Sequence, residues 1–172
     1  MSFRICLLGP VPKGDNVRGS WQDWKIKYKE GLSVISDVIF VDGDEWKDET
    51  KPLLTFGHDA HTIKTSDIII VNAEQKLGAG TAQEILIAKY FSKPVISILP
   101  KDTHHRRSNI VFHGKMIADW IHPFILTTSD LVVESIDDAI NWIKEYKENP
   151  SRKSVKNIGI IDEAIEFFIK SK

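Results

Sequence analysis

Short apolar runs alternate with amphipathic segments along most of the chain. The apolar runs Phe3 to Leu8, Val38 to Val41, Asp67 to Val71 and Val95 to Leu99 predict strands. Asp67 to Val71 is rich in β-branched residues, as expected of a strand that is buried on both faces of a parallel sheet. The segments between them place apolar residues at helical spacing, as expected of helices that connect parallel strands. This alternation predicts an α/β domain.

A fifth strand is predicted after a longer connection. It lies either near Phe124 to Thr127 or near Leu131 to Val133, and Ser135 with Asp138 then resembles a capping box at the start of a helix. About five strands with helices between them predict a flavodoxin-like, doubly wound five-stranded parallel sheet. The first strand is not followed by the GxGxxG fingerprint of a dinucleotide-binding domain.

The C-terminal part of the chain has a different character. Residues 1–149 are predicted to form the α/β domain, and residues 150–172 a linker and an extra C-terminal helix. The apolar stripe of that helix consists of Ile161, Ala164, Ile165 and Phe168. Such a stripe must pack on something, either on its own domain or across a dimer.

Composition and charge narrow the possible functions only slightly. A length of 172 residues suits one compact domain, and the net charge of −1 implies no bulk attraction to nucleic acid or to a membrane. Cys6 lies inside an apolar run and is predicted to be a small buried side chain. No signal peptide or membrane-spanning run is visible. We therefore expect a cytoplasmic enzyme or binding domain without a cofactor.

The segment after the third predicted strand carries the strongest chemical signal. Gly78 and Gly80 leave room for a ligand close to the backbone, and Thr81 is predicted to be the N-cap of the helix that follows. Glu84 then falls in the first turn, where the helix dipole favours its ionised form. Because ligands bind beyond the carboxyl ends of parallel strands, Glu84 is predicted to face a ligand crevice as a nucleophile or base. The alternative is an acid that only stabilises the helix start.

A cationic segment follows the fourth predicted strand and should face the same crevice. It runs from Lys101 to Asn109, and the segment from His113 to Phe124 is predicted to be a connection that folds over the site or against a partner subunit. Arg and His form charge-assisted hydrogen bonds with phosphate. The candidate phosphate-binding residues are His104, Arg106, Arg107, Ser108 and Asn109. The alternative is a basic surface loop.

Several motifs occur together in a characteristic order. They are Leu8-Gly9-Pro10 after the first strand, Asp59 before the third strand, the run Ser66 to Asn72, and Gly78 to Ile85 followed by Lys93-Pro94-Val95. Taken together, they resemble the nucleoside 2-deoxyribosyltransferase superfamily, and in particular its (deoxy)nucleoside 5′-monophosphate N-glycosidase branch. The resemblance covers roughly residues 3 to 145. It implies cleavage or transfer of an N-glycosidic bond through a covalent glycosyl-enzyme.

The resemblance also implies roles for individual residues. Glu84 would attack C1′ of the sugar, and Asp59 would hold sugar hydroxyls or help to position Glu84. Ser108 would match a serine that reaches the substrate phosphate, sometimes from the neighbouring subunit, so a homodimer is expected. The predicted substrate-binding residues are Gly9, Pro10, Asn72, Gly78, Gly80, Thr81, His104, Arg106, Arg107, Ser108 and Asn109.

One departure from the family pattern leaves alternatives open. The transferases carry an Asp six residues before the nucleophile, where it assists protonation of the base, and this chain has Gly78 there. Hydrolysis and transfer both remain possible, on free or phosphorylated nucleosides. A second hypothesis is a non-catalytic nucleotide-binding module. A third is a metal-dependent hydrolase that uses His58, His61, His104 or His105, although their spacing predicts no metal site.

Overall fold

The computed structural model describes residues 2–45 and 47–172. The strands are β1 (Phe3–Leu8), β2 (Val38–Asp42), β3 (Ile68–Asn72), β4 (Val95–Ile98), β5 (Arg106–Phe112), β6 (Lys115–Ile121) and β7 (Leu131–Val133). Five of them form a parallel sheet in the order β2-β1-β3-β4-β7, and β5 pairs with β6 in a separate antiparallel hairpin. The predicted five-stranded parallel sheet of flavodoxin-like type is confirmed.

Helices cover both faces of the parallel sheet. They are α1 (Asp15–Arg18), α2 (Lys25–Leu32), α3 (Pro52–Lys64), α4 (Ala79–Tyr90), α5 (Pro123–Thr128), α6 (Ile136–Glu148) and α7 (Ile160–Lys170). Ile5 and Leu7 of β1 pack with α2 and α6, whereas Cys6 and Leu8 pack with α3, α4 and α5. In the part of the chain that the structure describes, no helix is long and apolar enough to cross a bilayer.

The strand order places a crevice at a defined point of the sheet edge. From the adjacent strands β1 and β3, the chain proceeds to β2 on one side and to β4 on the other. The loops that follow β1 and β3 therefore diverge at the carboxyl edge, which is where open α/β sheets bind ligands. Gly9 and residues 73–78 lie in these two loops.

The fifth strand of the sheet is Leu131–Val133, which was one of the two predicted positions. The other position, Phe124 to Thr127, is wrong because these residues belong to α5. Pro123 is the first residue of that helix, where its fixed φ and missing N–H are well tolerated. The apolar run that suggested a strand is one side of a short helix, with Ile125 buried in the core.

The predicted connection between His113 and Phe124 is also wrong over most of its length. Residues 106–121 form the β5–β6 hairpin, and its two-residue turn consists of His113 and Gly114. Both turn residues have positive φ, 49° and 78°, as the type I′ turn that joins two twisted strands requires. The cationic segment is therefore partly a strand.

A fully buried ion pair joins α4 to the segment before β7. Lys89 and Asp130 contact each other with both side chains completely shielded from solvent. Asp130 also accepts hydrogen bonds from the backbone N–H groups of Val95 and Lys156, each at 2.7 Å. The ammonium group of Lys156 donates to the carbonyl of Ser129 at 2.6 Å. This network ties the chain beyond α6 to the core.

Replacing Asp130 by Ala is expected to lower the free energy of unfolding by about 3–5 kcal/mol, because it leaves Lys89 as an uncompensated buried charge. Urea denaturation followed by circular dichroism measures the loss. The control is Ser135→Ala, which removes the N-cap hydroxyl that accepts from the Asp138 N–H at 3.3 Å. Loss of this cap is expected to cost about 1 kcal/mol. Equal losses for the two variants would contradict the importance of the buried pair.

Candidate active site

A cavity of about 1040 Å³ opens at the carboxyl edge of the sheet. Its walls are formed by the loops after β1, β2 and β3 and by the facing parts of α3 and α4. The predicted site residues that line it are Gly9, Pro10, Asp59, Gly78, Gly80, Thr81 and Glu84. The structure therefore brings both predicted catalytic carboxylates together with the two glycine segments.

The glycine segment begins α4 earlier than predicted. Gly78 is the N-cap and Ala79 the first helical residue, so the prediction of Thr81 as N-cap is wrong. Thr81 lies in the first turn, and its hydroxyl donates to the Gly9 carbonyl at 3.3 Å. Glu84 consequently lies in the second turn, not the first, where the helix dipole is weaker. Thr81 instead links the start of α4 to the loop after β1.

The carboxyl group of Glu84 is harder to ionise than the helix dipole alone suggested. Its pKa is raised from 4.5 to about 7, chiefly by burial and then by the charge of Asp59. Lys13, Lys47 and the Thr81 hydroxyl act in the opposite direction and favour the carboxylate. Near neutral pH both protonation states of Glu84 are therefore populated.

Asp59 is held in place by contacts on α3 and on the loop after β2. Its Oδ1 atom lies 3.0 Å from Nδ1 of His58 and 3.5 Å from the Lys47 ammonium group. A Cβ atom on Gly43 would come within 2.7 Å of the same oxygen. Only glycine at that position lets the carboxylate pack this closely against the backbone. Asp59 thus has a fixed place beside Glu84.

The loop after β1 packs tightly against α2 and β3. A Cβ atom on Gly9 would lie 2.6 Å from the Trp24 ring and 2.9 Å from Cβ of Asn72. The indole N–H of Trp24 also donates to the Pro10 carbonyl at 2.8 Å. The sequence had marked Gly9 as part of the pocket, and the structure shows that this glycine is required by packing.

Positive charges on the cavity wall differ in how firmly they are paired. Arg18 and Lys25 are held by Asp44, at 2.6 Å and 2.9 Å, and these contacts lower the pKa of Asp44 to about 2. Lys13 makes only a loose pair with Glu49 at 3.9 Å. Among the described residues, Lys76 has no ion-pair partner within 4.0 Å. Lys13 and Lys76 are therefore the cations most available to a ligand.

Sequence reasoning did not single out these lysines. Lys13, Lys47 and Lys76 lie in loops that follow β1, β2 and β3, and all three line the cavity. Ligands bind beyond the carboxyl ends of parallel strands, which is the rule that placed Glu84 in the site. The same rule could have identified the three lysines, because each of their loops follows the carboxyl end of a strand.

Asn72 has a supporting position behind the cavity. It is buried, its Cβ faces Gly9, and its side-chain oxygen accepts from the Glu74 N–H at 3.1 Å. It does not line the cavity. Its contacts shape the backbone at the end of β3.

The candidate phosphate-binding residues of the hairpin do not reach this cavity within one chain. Arg106 forms a two-point ion pair with Asp119, at 2.8 Å and 2.6 Å, and donates to the Leu99 carbonyl at 3.1 Å. These contacts hold the hairpin base against the end of β4. The remaining candidates, all outside the cavity wall, are His104, Arg107, Ser108 and Asn109.

The histidines also lack the arrangement of a metal centre. Within residues 2–45 and 47–172, no group of three or more His, Cys, Asp or Glu side chains is placed to hold a metal ion. His58 instead contacts Asp59, and Nε2 of His105 accepts from the Leu77 N–H at 3.0 Å. The geometry gives the metal-dependent hydrolase hypothesis no support.

Comparison with known proteins gives matches only among solved structures. No protein-family model matches the chain, and no curated protein matches it. A 2-deoxyribosyltransferase from Bacillus psychrosaccharolyticus is 16% identical, with a TM-score of 0.52 over 80% of this chain and 90% of that one. A 2-deoxyribosyltransferase from Leishmania mexicana is 16% identical, with a TM-score of 0.56 over 84% and 98%. A CMP N-glycosidase from Clostridium botulinum, 16% identical over 81% and 97%, has a TM-score of 0.45.

These matches show that the chain has the fold of the two 2-deoxyribosyltransferases. The alignments extend over at least nine-tenths of each transferase chain. The resemblance inferred from the sequence motifs agrees with this similarity at the level of the fold. What the site does chemically rests on its own residues.

Replacing Glu84 by Gln is expected to raise the melting temperature above pH 7. The folded chain holds the Glu84 proton up to about pH 7, whereas the unfolded chain releases it near 4.5, so ionisation destabilises the fold as pH rises through this window. Gln does not ionise. The difference from wild type should therefore shrink below pH 7 and vanish below about 4.5.

Thermal melts across pH 4–8 measure this difference, with Glu163→Gln on the exposed α7 as the control. A Glu84→Gln variant whose melting temperature follows the wild type at every pH would show that the carboxyl group is not buried as described.

Proposed function

We propose that this chain cleaves or transfers the N-glycosidic bond of (deoxy)nucleosides or of their 5′-monophosphates, through a covalent glycosyl intermediate on Glu84. The observation that carries the proposal is the placement of Glu84 beside Asp59 in a cavity at the switch point of the sheet. The motif resemblance and the shared transferase fold support it. The cavity of about 1040 Å³ has room for a nucleotide.

In the first step, the ionised Glu84 attacks C1′ while the bond between C1′ and the base nitrogen breaks. The base leaves with the electron pair of that bond and takes up a proton. In the second step, water or another base attacks C1′ and loses its own proton, the bond to Glu84 breaks, and the carboxylate is restored. The proton that the first base takes up and the proton released here are both exchanged with solvent. Lys13 and Lys47, which favour the ionised form of Glu84, keep it ready for the first step.

Asp59 accepts hydrogen bonds from the sugar hydroxyls in this proposal. Its contacts with His58 and Lys47 fix the carboxylate before the substrate arrives, which lowers the cost of ordering the sugar. Gly78 and Gly80 let the ligand approach the backbone closely, because a Cβ atom on either would meet no protein atom within 4 Å. Gly9 shapes the pocket through its packing against Trp24 and Asn72. No protein acid is assigned to the base, because Gly78 stands where the transferases have an Asp.

A 5′-phosphate has two sources of positive charge in the proposed site. Lys13 and Lys76 lie on the cavity wall of the same chain. His104 and the hairpin residues Arg107, Ser108 and Asn109 would contact a phosphate only in the cavity of a neighbouring subunit, as the family resemblance implies for Ser108. The proposal therefore includes a homodimer.

The second candidate function is a nucleotide-binding module without catalysis. Gly78, in place of the acid that assists base protonation, is the feature that favours it. Such a module would be stabilised by nucleotides without releasing a base, and Glu84→Gln would leave the affinity nearly unchanged.

Incubation with each nucleoside and nucleoside 5′-monophosphate is expected to release the free base. Glu84→Ala should reduce the rate by about a thousandfold or more, because it removes the nucleophile. With wild type, kcat/KM should rise with pH and level off above about 7, as Glu84 ionises. Chromatography of the products, with and without an added second base, separates hydrolysis from transfer.

Glu163→Ala on α7 is the control for this assay and should keep full activity. If Glu84→Ala turned over at the wild-type rate, the covalent mechanism would be refuted. Binding without base release from any nucleoside or nucleotide would favour the non-catalytic module.

The chain is expected to run at twice its monomer mass in size-exclusion chromatography with light scattering. The large apolar residues of α7 are at least 43% exposed at Ile161, Ile165, Phe167, Phe168 and Ile169, which is costly for an isolated chain. Ile165→Asp should shift the equilibrium toward monomer. Val34→Asp, at an exposed apolar position in the loop after α2, is the control. A monomeric wild type would contradict the proposed dimer.

A further inference from the structure

The loop between β3 and α4 is fixed near both of its ends. Near its start, the side chain of Glu74 accepts a hydrogen bond from the Tyr28 hydroxyl at 2.9 Å. Near its end, the backbone N–H of Leu77 donates to Nε2 of His105 at 3.0 Å. Leu77 lies between Lys76 and Gly78, and both of these neighbours line the cavity.

The contact with Leu77 determines the chemical state of His105. A backbone N–H can only donate, so Nε2 must carry a lone pair and the ring proton must sit on Nδ1. His105 is 8% exposed, and its pKa is lowered to about 4 by burial and by its neighbours His104, His122 and Lys76. The imidazole is therefore neutral near pH 7 and can accept the Leu77 hydrogen bond.

We propose that His105 is a positioning residue for the substrate cavity, acting through Leu77 on the wall formed by Lys76 and Gly78. The inference rests on the function proposed above and extends it to a residue outside the cavity wall. His105 contacts no substrate. Without its acceptor, the Leu77 N–H loses its only hydrogen-bond partner among the described residues, and the loop can adopt other conformations.

The expected effect falls on substrate binding and not on the chemical step. Lys76 and Gly78 lie next to the lost contact, whereas Glu84 lies in the second turn of α4, held by the packing of Ile85 and Ala88 in the core. A mobile loop must be ordered each time a ligand binds, which weakens affinity. Because Lys76 carries a positive charge, binding of 5′-monophosphates should weaken more than binding of free nucleosides.

Two variants separate the hydrogen bond from the volume of the side chain. His105→Leu fills similar space without an acceptor, and His105→Gln keeps an acceptor oxygen near the position of Nε2. For a nucleoside 5′-monophosphate, His105→Leu should raise KM about three- to tenfold, the effect of losing one hydrogen bond, with kcat within about twofold of wild type. His105→Gln should restore KM to within about twofold of wild type.

The hydrogen bond between the Leu77 N–H and His105 can be tested without any substrate. Nitrogen-15 NMR of the wild-type protein at pH 7 should show His105 with its proton on Nδ1, and the Leu77 amide should be protected from hydrogen exchange. The protection should fall in His105→Leu and return in His105→Gln. A proton on Nε2 would overturn the inference even if neither variant folded.

Other outcomes would also overturn it. An unchanged KM in a folded His105→Leu variant would overturn the inference. A decrease in kcat without a change in KM would also overturn it, and so would a raised KM that His105→Gln does not bring back toward wild type. If the wild type released no base, the proposed reaction would fail on its own. The affinity for a nucleoside 5′-monophosphate, measured by thermal shift, would then replace KM, and equal affinities of wild type and His105→Leu would reject the positioning role.

Discussion

Strands that are buried on both faces impose the main constraint on this molecule. In β1, β3 and β4 almost every side chain is shielded from solvent, so these strands accept few polar groups. The polar side chains that line the cavity therefore lie in the loops at the strand ends and on the facing parts of α3 and α4. Because parallel strands bring all their carboxyl ends to one edge, Gly9, Asp59 and Glu84 meet there although they are far apart in sequence. The cavity is a consequence of the way the core is built.

The central carboxyl group of the site balances two opposing effects. Burial and the nearby charge of Asp59 favour the protonated form of Glu84, whereas Lys13 and Lys47 favour the carboxylate. A fully solvated acid would be ionised but surrounded by water, and a fully desolvated acid would stay neutral. The burial of the Glu84 carboxyl group lies between these limits. Such a group is shielded from water and can still ionise near neutral pH.

The parts predicted from the sequence are those with a strong local pattern. The apolar run Phe3 to Leu8 is a strand at the predicted residues, and the segment from Gly78 to Glu84 lines the cavity as expected. The hairpin was missed because its charges suggested a ligand site, whereas Arg106 pairs with Asp119 on the adjacent strand. The periodicity of a sequence does not predict which charged residues will form ion pairs between the two strands of a hairpin. The raised pKa of Glu84 likewise depends on its burial in the fold and on the charge of Asp59, which is distant in sequence.

The contacts of the Asp130 carboxylate show that the folded domain extends beyond the end of α6. One of the carboxylate oxygens accepts a hydrogen bond from the N–H of Lys156, and the ammonium group of that lysine donates to the carbonyl of Ser129 and to carbonyls in the last turn of α5. A truncation at residue 149 would remove both contacts and open the buried pair with Lys89 to water. The stretch after α6 is therefore fixed to the amino ends of β4 and β7, at the opposite end of the strands from the cavity, and α7 follows a segment that is anchored to the domain.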